Sequence, residues 1–420
     1  MKTIIYFIIF MLGFSLNIFG QRVCGSVLNM SELQQTDPVR YQRIMDLERQ
    51  TSALLRSVNN IPQDTIIIPV VVHVVYKNST ENVSDAQINA QIQILNDDFQ
   101  RLNADAVNTP VAFQSVAGST KFKFMLAKLD PNGNPTSGIT RTPTNKPGFS
   151  LYTDDVKYRS AGGHDAWNAL WYLNIWVCNL SYPWGLMGYA QYPDQLDTKP
   201  YTDGVVISYL YFGKDNLFDP DYDKGRTTTH EVGHWLNLYH IWGDEDNCTA
   251  TDFVDDTPNQ FLDTSGCPSF PKTDKCTPSS PGIMFMNYMD YSFDACMNIF
   301  TKGQVDRMLA LFDTQTGIRR DMLINAHCLT NPPVNFTGAI STPIIVSADT
   351  TVTNICGDIN VQYVTVTNGA TLTMKAARNI DIQDMVVINN SSLILEAGNE
   401  VTIIKDFEVE LGSEFEIIIP

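Results

Sequence analysis

Eleven consecutive residues near the middle of the chain, His230-Glu231-Val232-Gly233-His234-Trp235-Leu236-Asn237-Leu238-Tyr239-His240, constrain its fold more than any other stretch. On a helix, positions four apart share one face, so His230 and His234 present two imidazoles to a single point. Glu231 lies beside them. His240 follows six residues after His234, off that face. The helix must therefore stop, and the chain must turn back to deliver a third ring. Three neutral imidazoles hold a zinc ion and keep one position open for water. The ion makes that water reactive near neutral pH, and Glu231 can take its proton. This is the chemistry of peptide-bond hydrolysis without a covalent intermediate. A bare five-residue match has a blander reading, an amphipathic helix with two surface histidines.

A second element follows downstream. Asn287-Tyr288-Met289-Asp290-Tyr291 resembles the Met-turn of the metzincin zinc proteases. Together with Phe253-Val254-Asp255-Asp256-Thr257-Pro258 and the continuation Ser292-Phe293-Asp294-Ala295-Cys296-Met297, it makes the chain resemble the pappalysin family of metzincins from about residue 24 to about residue 330. The resemblance implies an α+β, metzincin-like catalytic domain: a twisted mixed sheet, the helix of the zinc site and the Met-turn. It implies His230, His234 and His240 as zinc ligands, Glu231 as general base and Met289 as an apolar floor beneath the metal. Tyr291 would aim its hydroxyl at the zinc or at the oxyanion. Gly188-Tyr189-Ala190 looks like the strand that rims the cleft, where an extended substrate adds as a further strand. Asp294 would lie at the base of the pocket for the residue just after the scissile bond. A carboxylate there accepts a guanidinium in two-point contact, so cleavage before Arg, and less well before Lys, is expected. Self-processing before Arg49 or Arg56 would follow. The family also implies calcium near the cleft, with Asp255, Asp256 and Thr257 as hard oxygen ligands, and disulfides Cys248–Cys276 and Cys267–Cys296. Many metzincins carry glycine where this chain has Asn237. Asparagine is the next most tolerant residue in a left-handed helix stop.

The N-terminal region reads as a sorting and inhibitory segment. Lys2 followed by the apolar run Ile4 to Leu12 and smaller residues to Gly20 reads as a signal peptide, with cleavage near Gln21. No later stretch is apolar and long enough to span a bilayer, so a secreted or cell-surface location is expected. Eight cysteines in an exported chain imply disulfides. Cys178, Cys328 and Cys356 are left undecided. Cys24, in Arg22-Val23-Cys24-Gly25, resembles the cysteine switch of pappalysin zymogens, in which a thiolate fills the open position on zinc. The alternatives are a disulfide partner or a lipidated cysteine. Residues 21–60 then form a prosegment, with a helix over Tyr41–Leu55 carrying Ile44, Leu47, Leu54 and Leu55 on a loose apolar stripe.

A length of 420 residues suggests two or three domains. The formal charge of −18 argues against nucleic acid as a partner and fits a protein that attracts basic peptides. Within 61–330, Ile66–Tyr76 reads as a buried first strand whose His73 is a core residue rather than a ligand. Ser84-Asp85 caps a helix to about Arg101, with Ile88, Ile92, Leu95 and Phe99 on one face. Further strands are expected over Lys121–Leu129, Leu173–Val177 and Asp203–Ser208, and a closing helix over Thr301–Phe312. Asn331-Pro332-Pro333 marks a boundary. Beyond it, over 335–420, Asn368-Gly369-Ala370-Thr371-Leu372 realigns with Asn389-Asn390-Ser391-Ser392-Leu393 after 21 residues and with Leu411-Gly412-Ser413-Glu414-Phe415 after a further 22. This all-β module is either a small β-solenoid or an irregular sandwich, suited to secretion machinery or cell-surface contact. The expected activity is that of a secreted zinc endopeptidase made as a zymogen. The alternative is a non-catalytic binding or adhesion protein on a protease scaffold, against which the intact Glu231 and three histidines argue.

Overall fold

The computed structural model describes residues 23–419, apart from 28–29, 56–61, 63, 183–184, 215–218, 331–333 and 355–356. The expected signal peptide, Arg22, Arg56, Asn331-Pro332-Pro333 and Cys356 lie outside the described residues.

The N-terminal segment supplies a short strand β1 (Val23–Cys24) and helices α1 (Met30–Thr36) and α2 (Pro38–Leu55). The apolar stripe expected on α2 is only half right. Ile44 and Leu47 are buried, but so are Glu48 and Thr51, while Leu54 is half-buried and Leu55 exposed. Local periodicity could not show this, because the face that α2 buries is chosen by polar partners elsewhere in the chain. The β-branched run becomes β2 (Ile66–Tyr76). Helix α3 (Asp85–Phe99) begins where Ser84 Oγ accepts the Gln87 N–H, and it buries Ile88, Ile92, Leu95 and Phe99. After the short α4 (Val111–Gln114) come β3 (Phe122–Leu126), β4 (Ile139–Pro143), β5 (Phe149–Ser150), β6 (Leu173–Cys178), β7 (Leu180–Tyr182), β8 (Leu186–Ala190) and β9 (Val205–Ser208).

Among the described residues, the main sheet runs β1-β8-β9-β6-β2-β3. Strand β2 is long enough to pair with β3 along its first half and β4 along its second, while β6 takes its other edge. Neighbours are parallel except β8 and β9, which run antiparallel. Both faces of β2 are covered, which is why its sequence is nearly continuous Ile and Val rather than alternating. His73 is fully buried in it, held by Thr140 Oγ1 at 2.8 Å and Asn174 Oδ1 at 3.0 Å. Burial pushes its pKa down to about 3, so it is a neutral core residue.

Helix α5 (Arg226–Trp235) packs across this sheet with every residue buried. Its end is a Schellman motif: the Leu238 N–H reaches Gly233 O at 2.9 Å and the Asn237 N–H reaches His234 O at 2.9 Å. Asn237 takes the left-handed conformation this requires, at φ 68°. The chain then returns through a loop to the Met-turn and on to α6 (Lys302–Ala310), whose Thr301 and Gln304 form a capping box, and α7 (Arg320–Thr330). A buried ion pair ties these parts together. The Arg319 guanidinium donates to both Asp203 oxygens at 3.0 and 3.2 Å and to Trp235 O at 3.0 Å, and it lies 3.6 Å over the Trp235 ring. The Trp235 indole N–H also donates to Asp203, at 2.7 Å.

The C-terminal region contains β10 (Val334–Thr337), β11 (Ile344–Val346), β12 (Thr350–Asn354), β13 (Ile359–Val366), β14 (Thr371–Ala376), β15 (Asn379–Val387), β16 (Ser392–Ala397), β17 (Glu400–Val409) and β18 (Glu414–Ile418). Among the described residues they form two parallel sheets, β10-β13-β15-β17 with β11 also on β13, and β12-β14-β16-β18. Ile359, Ile380 and Val401 stack in register, as do Leu372, Leu393 and Phe415. In-register parallel stacking of successive repeats is a β-solenoid rather than an irregular sandwich.

Two stability outcomes follow from this arrangement. Replacing Arg319 by Met leaves the Asp203 carboxylate buried without its cation and should cost about 3–5 kcal/mol in chemical denaturation. Asn237→Gly and Asn237→Val both remove the side-chain amide. Gly should be favoured over Val by about 1–2 kcal/mol, with the direction set by the left-handed backbone.

Candidate metal centre and active site

Helix α5 aims His230 and His234 at one point, and the turn at Asn237 brings His240 to the same point. The three Nε2 atoms lie 3.1 Å from one another in every pairing. Each Nδ1 faces an acceptor instead: Tyr288 O at 2.7 Å for His230, Leu238 O at 2.8 Å for His234, and Asp244 Oδ1 at 2.6 Å for His240. These partners assign the Nδ1–H tautomer to all three rings, so three Nε2 lone pairs converge. Burial, with His240 adding to it, pushes the His234 pKa well below its ordinary value. A cation would offset the repulsion between the lone pairs. Four-coordinate zinc with metal–nitrogen bonds of 2.0–2.1 Å spaces its nitrogens roughly 3.3 Å apart, close to the separation present here. The donor set therefore fits zinc.

Cys24 is the fourth member of the cluster. The four ligand atoms of Cys24, His230, His234 and His240 all lie within 4.8 Å of one another, and all four residues are buried. Its sulfur is 3.5 Å from His234 Nε2, close to the roughly 3.6 Å expected when sulfur and nitrogen share a tetrahedral zinc. Strand β1 puts it there by pairing parallel with β8, and the Gly25 N–H donates to Gly188 O at 2.9 Å. Burial and then the Glu231 carboxylate push the Cys24 thiol well above its ordinary range. A thiolate here needs a cation to offset it. Cys24 takes no part in a disulfide.

Glu231 is buried against this cluster. Its Oε2 accepts the Ser26 hydroxyl at 3.0 Å, with the Cys24 sulfur at 3.5 Å. Ser26 Oγ in turn accepts the Ala190 N–H at 2.7 Å. Both edge groups of β8, Gly188 O and Ala190 N, are thus engaged by the N-terminal segment. Gly188 is needed for close approach, because a Cβ there would stand 2.9 Å from Glu231 Cγ. Tyr189 turns its side chain into the protein and donates to Asp154 at 2.7 Å.

The Met-turn passes beneath the metal cluster. Met289 is fully buried, and a Cβ at Gly233 would meet its sulfur at 2.5 Å. The glycine inside the motif therefore makes room for the methionine floor. The Tyr291 ring packs 5.8 Å from His230 and 5.0 Å from His240. Burial pushes its hydroxyl pKa well up, so it remains a neutral donor.

Asp294 is fully buried, and its Oδ2 accepts the backbone N–H groups of Lys224 and Arg226 at 2.9 and 3.1 Å. The residues expected to bind calcium are engaged separately. Asp255 is exposed, Asp256 accepts the Gly303 N–H at the start of α6, and Thr257 donates to Asp252 and Val254 O. The disulfides Cys248–Cys276 and Cys267–Cys296 are both formed and brace the loop between His240 and the Met-turn. Cys178 is a buried thiol, and Cys328 is disulfide-bonded.

Three residues that orient the site escaped the sequence reading: Tyr192, Tyr288 and Asp244. Tyr192 Oη lies 2.8 Å from His234 Nδ1 and donates to Ser26 O at 3.0 Å. Asp244 had one available signal, an acid four residues after a ligand histidine. Tyr192 and the carbonyl of Tyr288 had none.

Comparison with known proteins agrees with this geometry. The Peptidase_M43 family model, described as pregnancy-associated plasma protein-A, matches residues 157–313. A glutamate-to-alanine mutant of Tannerella forsythia promirolysin is 60% identical at a TM-score of 0.71, over 74% of this chain and 100% of that one. Mature mirolysin of the same organism, in complex with a cleaved peptide, is 63% identical at a TM-score of 0.63, over 64% of this chain and 100% of that one. An extracellular metalloprotease of Arthroderma benhamiae is 34% identical over 247 residues, which is 58% of this chain and 76% of that protein. With its histidines, glutamate and Met-turn brought together as described, the chain belongs to the pappalysin family of metalloendopeptidases.

Proposed function

We propose that this metalloendopeptidase is a secreted zinc enzyme, held latent by its N-terminal prosegment through Cys24, that cleaves before Arg and less readily before Lys. The observation that carries the reading is the convergence of three Nε2 atoms and one sulfur beside the Glu231 carboxylate. In this reading His230, His234 and His240 hold the zinc. When bound, zinc supplies Lewis acidity to the scissile carbonyl and to the attacking water. Glu231 takes a proton from that water and returns it to the leaving amine. Tyr291 donates to the developing oxyanion. Gly188 O and Ala190 N, freed of Gly25 and Ser26, pair with the substrate backbone. Asp294 receives the guanidinium or ammonium of the residue after the scissile bond. Support for secretion comes from the extracellular relatives. Among the described residues no helix is long and apolar enough to cross a membrane.

The helix α2 bears on where the prosegment is cut. Arg49 lies inside it, directly after the buried Glu48, and a peptidase needs its substrate extended. Of the two bonds expected from the sequence, this disfavours the one before Arg49 and leaves the one before Arg56.

The test is to digest a peptide library with the activated protein, with and without chelator, and to sequence the new N-termini. Cleavage should stop with chelator, and Arg should dominate the first position of the products. Cleavage that survives chelation, or products with no basic first residue, would overturn the corresponding claim. Glu231→Gln should lower kcat by about 10²–10⁴-fold while elemental analysis still finds one zinc per chain. Asp294→Asn should lose the preference for Arg without losing zinc. The processed N-terminus should be Arg56, and one at Arg49 would contradict the argument from α2.

A further inference from the structure

Away from the metal, helix α2 makes a second buried attachment. The Glu48 carboxylate meets the Arg307 guanidinium in a two-point pair, Nη1 to Oε2 at 2.6 Å and Nη2 to Oε1 at 2.7 Å. Asn237 Nδ2 and Tyr239 Oη also donate to Oε1, at 3.2 and 3.1 Å. Both charged side chains are within a few per cent of full burial. These donors come from the body of the enzyme, and the carboxylate they share comes from the N-terminal segment.

We propose that Arg307, Tyr239 and Asn237 form a carboxylate-binding socket on the mature enzyme, and that its ligand is Glu48 of the excised prosegment, which stays docked after its peptide link is cut. This rests on the reading of the N-terminal segment as a prosegment that is cut before Arg56. Hydrolysis consumes one water and leaves a carboxylate at residue 55 and an amine at residue 56. Neither new end lies at Glu48, so the cut breaks none of the contacts of the socket.

The socket is held in shape by contacts that do not involve Glu48. Arg307 Nε and Nη2 also donate to Asn237 O, at 3.2 and 3.1 Å, and the guanidinium packs against the Tyr239 and Phe253 rings. The nearby buried acid, Asp252, is a poor substitute counterion. Its oxygens are taken by the Thr257 hydroxyl and the Val254 N–H, and burial pushes its pKa up to about 7. Emptying the socket would exchange a two-point carboxylate and two further hydrogen bonds for water. Further contacts favour retention of the same helix: Ile44 packs with Tyr192 and Tyr239, and Arg40 pairs with Asp194 at 3.1 Å. The socket also holds the left-handed residue that returns the chain to His240, so its occupant touches the turn that delivers a metal ligand.

The experiment follows full-length protein through self-processing, with cleavage read by mass and retention read by size-exclusion chromatography. The wild-type fragment should co-elute with the 56–420 chain, and peptidase activity should lag behind cleavage until the sample is diluted. Glu48→Gln changes only the departing piece, so both zymogens yield the same mature enzyme. Its fragment should bind about 100-fold more weakly, and activity should track cleavage. Release of the wild-type fragment as fast as it is cut, or equal retention of the Glu48→Gln fragment, would overturn the proposal. If the variant zymogen does not fold, synthetic peptides spanning 23–55 with Glu or Gln at position 48 are added to wild-type mature enzyme. Equal inhibition by the two would then overturn it. Retention is read by mass and is independent of catalysis. A separated 56–420 chain that hydrolyses no peptide would instead sink the peptidase reading.

Discussion

Three lone pairs forced together inside a protein repel, and the rest of this chain is arranged to make them converge anyway. Each imidazole is fixed from behind by an acceptor on its Nδ1: the Tyr288 and Leu238 carbonyls and the Asp244 carboxylate. A cation at its centre would offset that repulsion. Helix α5 supplies two rings, the Schellman turn supplies the third, and the Met-turn supplies both a floor and a carbonyl that orients His230. The buried pairs Arg319–Asp203 and Arg307–Glu48 pin the two sides of the same helix end. The scaffold thus orients the rings before any metal chemistry begins.

The N-terminal segment answers this arrangement group by group. Cys24 meets the imidazoles, Ser26 the Glu231 carboxylate and the Ala190 amide, Gly25 the Gly188 carbonyl, and Glu48 the Arg307 guanidinium. The free backbone groups on that edge of β8, Gly188 O and Ala190 N, are thereby already paired.

Much of this was legible beforehand. The Ile66–Tyr76 strand, the Ser84 cap with its four buried apolar residues and the conformation of Asn237 follow from signals confined to a few neighbouring residues, and the stacked C-terminal repeats from a recurrence along the chain. The metal residues were legible because the motif is dense and its spacing implies one helical face. What escaped depends on partners far away in sequence. Glu48 and Thr51 read as solvent-facing on α2 until Arg307, Asn237 and Tyr239 are known to lie opposite. Strand β1 is too short to carry periodicity and exists only because β8 offers an edge. Nor does local sequence show that Asp256 accepts the Gly303 N–H at a helix start, or that Thr257 donates to Asp252.

The stacked coils at the C-terminus bring a different kind of freedom. Equivalent residues recur at intervals of 21 or 22, and each coil offers its successor nearly the same ladder of Ile, Leu and Val. Loss or gain of one coil therefore changes the height of the stack by a single step of about 4.8 Å without altering the face it presents to its neighbour. The module is a ruler with discrete graduations, and its length can drift in evolution while the enzyme it is joined to stays unchanged.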